Sequence, residues 1–487
     1  MMRTILISCG LITKMTCFLT KDRFRVFGLA MALFGSFHLA HAQVIFQPND
    51  VMVADSAVSD SPKNYTSLPA DVSPERWNLH GQATFVTQQK NNFNSPYVGA
   101  NSLLNSSQGG GSNSYTFSAT AFLGTQLWHG AEFYFNPEMF QGTPFNGQLV
   151  GLGGFQNGEL QKGAFSNPVY YTARAYIRQT VNLGGESLYV ASAANQLAGP
   201  TDQNRLVLSF GKFASLDFFD QNSYSHDTRT QFQNFALFSM GAYSYAADTK
   251  GYTFGAVAEW YQDNWVYKAA RLALPTVPNT QALDFSLRQD YIDQIELTRQ
   301  HSLHGNSGAV RLLYFHQHAY MGDYSAATSP SPATPDITSA RKSGQTNWGY
   351  GINVEQALNN DVGVFGRWSW NPGNTETQTV DISRSLSGGL SFKGTRWARE
   401  DDSIGIGFAV NGLANSQIMY LQQGGISPFI GDGKLNYKNE QILEGYYSAK
   451  IYKALFLSLD FQRIANPGYN ASRGPVHFLG LRAHIEI

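Results

Sequence analysis

Arg174, Tyr176 and Arg178 recur at every second position of the run Tyr171–Val181. Alternate residues of a strand share a face, so the three project together. A guanidinium is planar, permanently charged and able to give two parallel hydrogen bonds. Two of them along one wall make a ladder of donors that suits vicinal hydroxyls, and the ring between them can stack on an apolar C–H face. Arg482, with His484 and Glu486, repeats the pattern near the end of the chain. Glu132 and Glu138 are expected where a strand enters a long loop. Asp227 and Arg229 are expected in a polar segment, 214–234, that folds into a mouth or lumen. Acids facing arginines would exchange hydrogen bonds with hydroxyls while narrowing a passage. The plainer alternative is that the arginines pair with nearby acids and only line a wall, and that Asp227 and Arg229 form a local salt bridge fixing their loop.

The elements that must hold these side chains alternate. Leu455, Leu457, Leu459 and Phe461 oppose Ser458, Asp460 and Gln462. Leu206, Leu208 and Phe210 oppose Arg205 and Ser209, and Tyr115, Phe117, Ala119, Ala121 and Leu123 share one parity. In the terminal strand Leu479, Leu481, Ala483, Ile485 and Ile487 oppose Gly480, Arg482, His484 and Glu486. Tyr171, Ala173, Ala175 and Ile177 are placed on the apolar parity of their strand. Charged residues are 14% of the chain, against about 25% in ordinary globular proteins. Aromatics are also 14%, yet no segment after residue 42 approaches the ~18 apolar residues of a spanning helix. An all-β transmembrane antiparallel barrel accounts for this, with one parity on lipid and the other in a wet lumen.

Connections come in two sizes that broadly alternate. Short ones are His129-Gly130, Leu183 to Glu186, Gln262 to Asn264, Leu303 to Ser307, Asn359-Asn360 and Lys453. Long ones are Gln88 to Ser114, Asn136 to Pro168, Gly322 to Thr346 and Gly412 to Glu440. Asp248 to Gly251 is read as joining two strands on the long-loop side. The pattern gives sixteen to eighteen strands over residues 71–487, preceded by an aperiodic, flexible periplasmic segment, 43–70.

Residues 1–42 read as an export signal. Lys21, Arg23 and Arg25 precede an apolar Val26 to Leu39, and Ala40-His41-Ala42 is a small-x-small cleavage site. Either Met1 or Met15 serves as the start. Both cysteines, Cys9 and Cys17, lie in this signal. The remainder therefore has no disulfide, no cysteine-ligated zinc and no cysteine nucleophile. Removing the signal takes Arg3, Lys14, Lys21, Arg23, Arg25 and Asp22, which moves the net charge from −1 to −5. No basic stripe for nucleic acid follows.

Several stretches resemble the OprB-type carbohydrate-selective porins of Gram-negative outer membranes. They are Leu127-Trp-His-Gly-Ala-Glu-Phe-Tyr-Phe-Asn-Pro-Glu138, Gly211-Lys-Phe213, Asp217-Phe-Phe-Asp220, Tyr224-Ser-His-Asp-Thr-Arg-Thr-Gln-Phe232, Asp248-Thr-Lys-Gly-Tyr-Thr253, Asp381-Ile-Ser-Arg-Ser385, Gly431-Asp-Gly-Lys-Leu435, Asn466-Pro-Gly-Tyr-Asn470 and Arg473-Gly-Pro-Val476. They run in family order over roughly 75–487. The resemblance implies a sixteen-stranded barrel with a narrow, sugar-selective pore, working with outer-membrane lipids and the barrel-insertion machinery and needing no cofactor. Two places depart from the family pattern: Ile487 stands where an aromatic is usual, and Pro372 where an acid is usual.

Other chemistry finds little support. His316 and His318 share a strand face without a third ligand, so no metal is expected. Gly151 to Gln156 breaks the dinucleotide pattern. No Gly-x-Ser-x-Gly elbow is present. The leading expectation is a passive channel for mono- or small oligosaccharides. An outer-membrane barrel enzyme, a lipase or glycosidase, and a secreted glycan-binding β protein stand as alternatives.

Overall fold

The computed structural model describes residues 74–329 and 334–487, and the backbone of 65–67. The signal 1–42 and most of 43–70 lie outside the described residues. Among those described there are nineteen strands: β1 (Tyr65–Ser67), β2 (Trp77–Lys90), β3 (Asn113–Trp128), β4 (Ala131–Thr143), β5 (Phe165–Asn182), β6 (Ser187–Val190), β7 (Gly199–Asp202), β8 (Arg205–Phe213), β9 (Thr253–Gln262), β10 (Trp265–Ala273), β11 (Tyr291–Leu303), β12 (Asn306–Gly322), β13 (Arg341–Ala357), β14 (Val362–Trp370), β15 (Arg384–Lys393), β16 (Ser403–Gly412), β17 (Glu440–Tyr452), β18 (Leu455–Ala465) and β19 (Val476–Glu486).

Sixteen of them, β2–β5 and β8–β19, close into one antiparallel barrel. The seam joins β19 to β2, from Phe478↔Lys90 to Glu486↔Gln82. Closure leaves no unpaired strand edge, the condition for a sheet that crosses lipid. Side chains alternate as expected. Leu459, Phe461 and Leu479 are exposed on the outside, while Ser458, Asp460, Arg482 and His484 are buried inside. Aromatic groups mark both rims. Trp348 and Trp370 lie 5.2 Å apart by ring centroid near the outer loops, and Trp260 and Tyr267 lie 5.2 Å apart near the short turns.

Four sequence expectations need correction. Leu183 to Glu186 does not lead straight into a barrel strand. It opens a hairpin, β6–β7, which pairs with β1 as a separate three-stranded sheet. Part of the segment expected to be flexible, Tyr65–Ser67, is therefore a strand, too short to show any alternation. Asp248 to Gly251 is a turn inside the long 214–252 connection, not a link between strands. Finally, β4 and β5 reach further than expected, because Pro137 sits at a register shift where Asn136 pairs with Arg174 and Pro137 with Thr172. A bulge of this kind accommodates proline and reverses the parity beyond it. Tyr171 accordingly turns into the lumen, and Tyr170 faces out, 77% exposed.

Candidate functional site

The lumen is filled by residues 214–252, the connection between β8 and β9 (the inner segment below). Its interior is apolar: Phe235, Phe238, Met240, Tyr243 and Tyr245 form one core with wall residues such as Ile292, Leu313 and Phe315. Inward-facing glycines make room for it. A Cβ on Gly405 would lie 2.2 Å from Tyr446 and 2.9 Å from Phe232, and one on Gly351 2.4 Å from the Met240 sulfur.

Charged wall residues fasten the segment. Asp220 takes hydrogen bonds from Arg367 Nε (2.8 Å), Asn353 Nδ2 (2.6 Å) and the Met240 N–H (2.6 Å). The Glu444 carboxylate accepts from the Gln233 and Asn234 amides at 2.5 and 2.9 Å. Glu296 accepts from the Asp220 amide at 2.8 Å, and Lys268 donates to the Phe218 carbonyl at 2.5 Å. None of these wall residues was singled out from sequence. A signal was present: Glu296, Arg311, Arg367 and Glu444 each sit in mid-strand between lipid-facing neighbours, and a charge there must turn inward.

The sequence candidates divide into three groups. Glu138, Arg229 and the nearby Lys162 and Glu159 form a buried cluster. Glu138 accepts from Thr120 (2.6 Å), Lys162 (2.8 Å), Arg229 (2.9 Å), Tyr252 (3.0 Å) and the Tyr171 hydroxyl. Arg229 also lies 3.4 Å from Glu159. Asp227 instead caps its own turn, accepting from the Arg229 amide (2.9 Å) and the Thr230 hydroxyl (2.7 Å). Arg482 belongs with the fasteners, for it donates to the carbonyls of Thr228 (3.0 Å), Thr230 (2.8 Å) and Gln231 (2.7 Å).

The second group lies toward the short-turn end. Glu132 is near the start of β4, beside the His129-Gly130 turn, and Glu138 is in mid-strand. The expectation that both stand where a strand enters a long loop is thus corrected. Arg178 is 5% exposed, packed over Tyr134 and Tyr176 at 5.0 and 5.6 Å. Tyr176 is only 3% exposed, edge-on to Phe213 and Phe218. With Tyr134 and Phe213 from the wall and Phe218 from the inner segment packed around it, the Tyr176 ring is covered by protein.

Arg174 alone makes the third group. Its Nε and Nη2 form parallel bonds of 2.7 and 2.6 Å with the two oxygens of Asp217, on the inner segment. The Arg174 and Asp217 side chains retain 13% and 11% of their exposure. Arg311 and Glu138 retain 0%, and Lys268 and Arg367 1%. The Arg174–Asp217 pair is thus more open to solvent than these sealed wall groups.

A closed antiparallel barrel with an apolar outer band and an inward-folded loop is the architecture of an outer-membrane channel. A family described as "Carbohydrate-selective porin, OprB family" matches residues 110–487, and the chain belongs to it. Among solved structures, the high-pH form of Pseudomonas putida OprB shares 16% identity, covering 85% of this chain and 94% of that one with a TM-score of 0.63. The DcaP channel of Acinetobacter baumannii shares 10% identity over 84% and 97% of the two chains, at a TM-score of 0.46. No curated protein sequence matches the chain. It is a multi-pass outer-membrane β-barrel that passes carbohydrate passively, and it is a channel rather than an enzyme.

Proposed function

We propose that selection of the sugar falls mainly to Arg174 and Asp217. The observation that carries this reading is their bidentate geometry, with both side chains partly open to solvent where Arg367, Lys268 and Glu138 are sealed. A guanidinium and a carboxylate held side by side offer two donors and two acceptors, and a vicinal diol can use both. Solute moves down its gradient, with weak binding at the wall that still allows release. Glu138, Arg229, Asp227 and Arg482 shape the constriction from behind. The exposed outer parity is suited to outer-membrane lipids, and the amphipathic β19 to the barrel-insertion machinery.

Liposome swelling with a series of neutral sugars tests the assignment. Arg174→Ala should slow entry of the preferred sugar at low concentration by roughly tenfold, the worth of one charged hydrogen bond. It should also narrow the difference between sugars. Arg482→Ala should change thermal stability more than discrimination. Unchanged rates and ranking in Arg174→Ala would assign selection elsewhere.

A further inference from the structure

A cavity with charged groups in its lining lies toward the short-turn end of the lumen, beyond Tyr176 from Arg174 on β5. It measures about 180 Å³ and is lined by Glu132, Arg178, Arg205, Glu259 and Tyr261, together with residues of the short turns. One side of it is closed by residues 191–198, the tip of the β6–β7 hairpin. Asn195 O accepts from Arg178 Nη1 (3.0 Å), the Leu197 amide donates to Tyr134 (3.2 Å), and Gln196 O accepts from Asn78 (2.7 Å). Ala194, Asn195, Gln196 and Leu197 are all buried by these contacts.

The lining has the chemistry of a site. The Arg205 guanidinium lies 3.7 Å from the centroid of the Tyr261 ring, whose hydroxyl donates to Glu259 at 3.1 Å. Glu132 keeps 24% of its side chain exposed. Arg178 is 5% exposed, yet its Nε–H has no hydrogen-bond partner. The donors of the lining are the Arg178 Nη1 that holds the tip and the Arg205 guanidinium, and its acceptors are Glu132 and Glu259. The acids disfavour an anion and the arginines disfavour a cation. A neutral molecule that both donates and accepts fits the set.

We propose that this cavity is an exit-side subsite for a single neutral monosaccharide ring, occupied after the constriction and before release past the hairpin tip. The proposal rests on the reading of the chain as a sugar channel. It makes transit a two-site process, in which a molecule entering the first site speeds departure from the second.

Ion current through oriented channels in a planar bilayer, with glucose or xylose added to one side at a time, tests it. Thr180 lines the cavity without belonging to its charged set, and Thr180→Trp fills the space. By excluding the ring from the cavity it should raise the half-blocking sugar concentration from the short-turn side by roughly tenfold or more, a loss of at least about 1.4 kcal/mol of binding. The value from the long-loop side should stay near wild type. Tyr261→Leu, a smaller change, should shift the same side in the same direction. Arg174→Ala should shift the long-loop side instead. If both cavity variants fold, judged by heat-modifiable gel mobility, and block at wild-type concentrations from the short-turn side, the subsite is overturned and the channel reading stands. If the wild-type current responds to sugar from neither side, both readings fall.

Discussion

Two elements enter the lumen from opposite ends and are held by different chemistry. The inner segment is fastened by buried charge: Arg367 on Asp220, Glu444 on two amides, and Arg482 on three carbonyls. The hairpin tip is held by Asn78 and the Tyr134 hydroxyl, by Arg178, and by Glu75, which accepts from the Ala198 amide and the Ser192 hydroxyl. A buried ion cannot be abandoned by its partner without a large penalty. A hydrogen bond between neutral groups, such as those of Asn78 and Tyr134 to the tip, can be exchanged for one to water at little net cost. The difference makes the constriction a fixed part of the barrel and the tip the part able to yield.

The comparison breaks most readily at Arg367. Arg367→Ala would leave the Asp220 carboxylate, 0% exposed, without its cation. The loss should be about 3–5 kcal/mol, read as a lower temperature for the heat-modifiable mobility shift. The same variant should raise single-channel conductance, because the segment it frees blocks the lumen. A stable variant with unchanged conductance would show that the apolar packing around Phe235 and Met240 suffices without the ion pair.

The outward half of this arrangement was open to sequence reading and the inward half only in part. Leu479, Leu459 and Phe461 announce a lipid face because alternation is local: it needs only neighbours two residues away. The partner of an inward charge is set by a different part of the chain. Arg174 and Arg178 share one strand face, yet one meets Asp217 from the inner segment and the other meets Asn195 from the hairpin tip. Parity tells which side a residue faces and not what closes upon it. The bulge at Pro137 reversed the parity of Tyr171, and a three-residue strand such as β1 carries no period to detect.

A smaller effect should separate the two ends by their response to pH. Asp381, in the 371–383 loop, accepts from Gln417 (2.8 Å), Ser427 (2.8 Å) and the Phe429 amide (3.2 Å), and so ties together loops of the outer end. Burial pushes its carboxyl up from the ordinary 3.8 to about 6. Below the lower value the group is protonated whether the loops are closed or open, and contributes no penalty. Between the two, the closed state keeps its proton and the open state gives it up. Rising pH therefore weakens closure across this window, by on the order of 2–3 kcal/mol at most. Amide exchange in residues 415–430, corrected for its intrinsic pH dependence, should show less protection at about pH 7 than at about pH 4. Asp381→Asn should flatten the difference, and the hairpin tip should show none. Equal protection at both values in the wild type would mean that Asp381 does not govern the loops.

The smallest effect belongs to the tip itself. Asn78 is 7% exposed and its Nδ2 reaches Gln196 O at 2.7 Å and Ser192 Oγ at 3.1 Å. Asn78→Ala removes this tie and leaves the barrel register of β2 untouched, because the strand pairs through its backbone. The expected cost is about 1–2 kcal/mol, confined to local opening. Amides of 191–198 should exchange roughly five- to thirtyfold faster, while the mobility-shift temperature stays close to wild type. Leu197, whose amide also binds Tyr134, should be the last of the tip to lose protection. The outcome bears directly on the contrast between the two ends. A fall in global stability comparable to that of Arg367→Ala would make the tip as integral to the barrel as the inner segment, and the yielding exit would have to be given up.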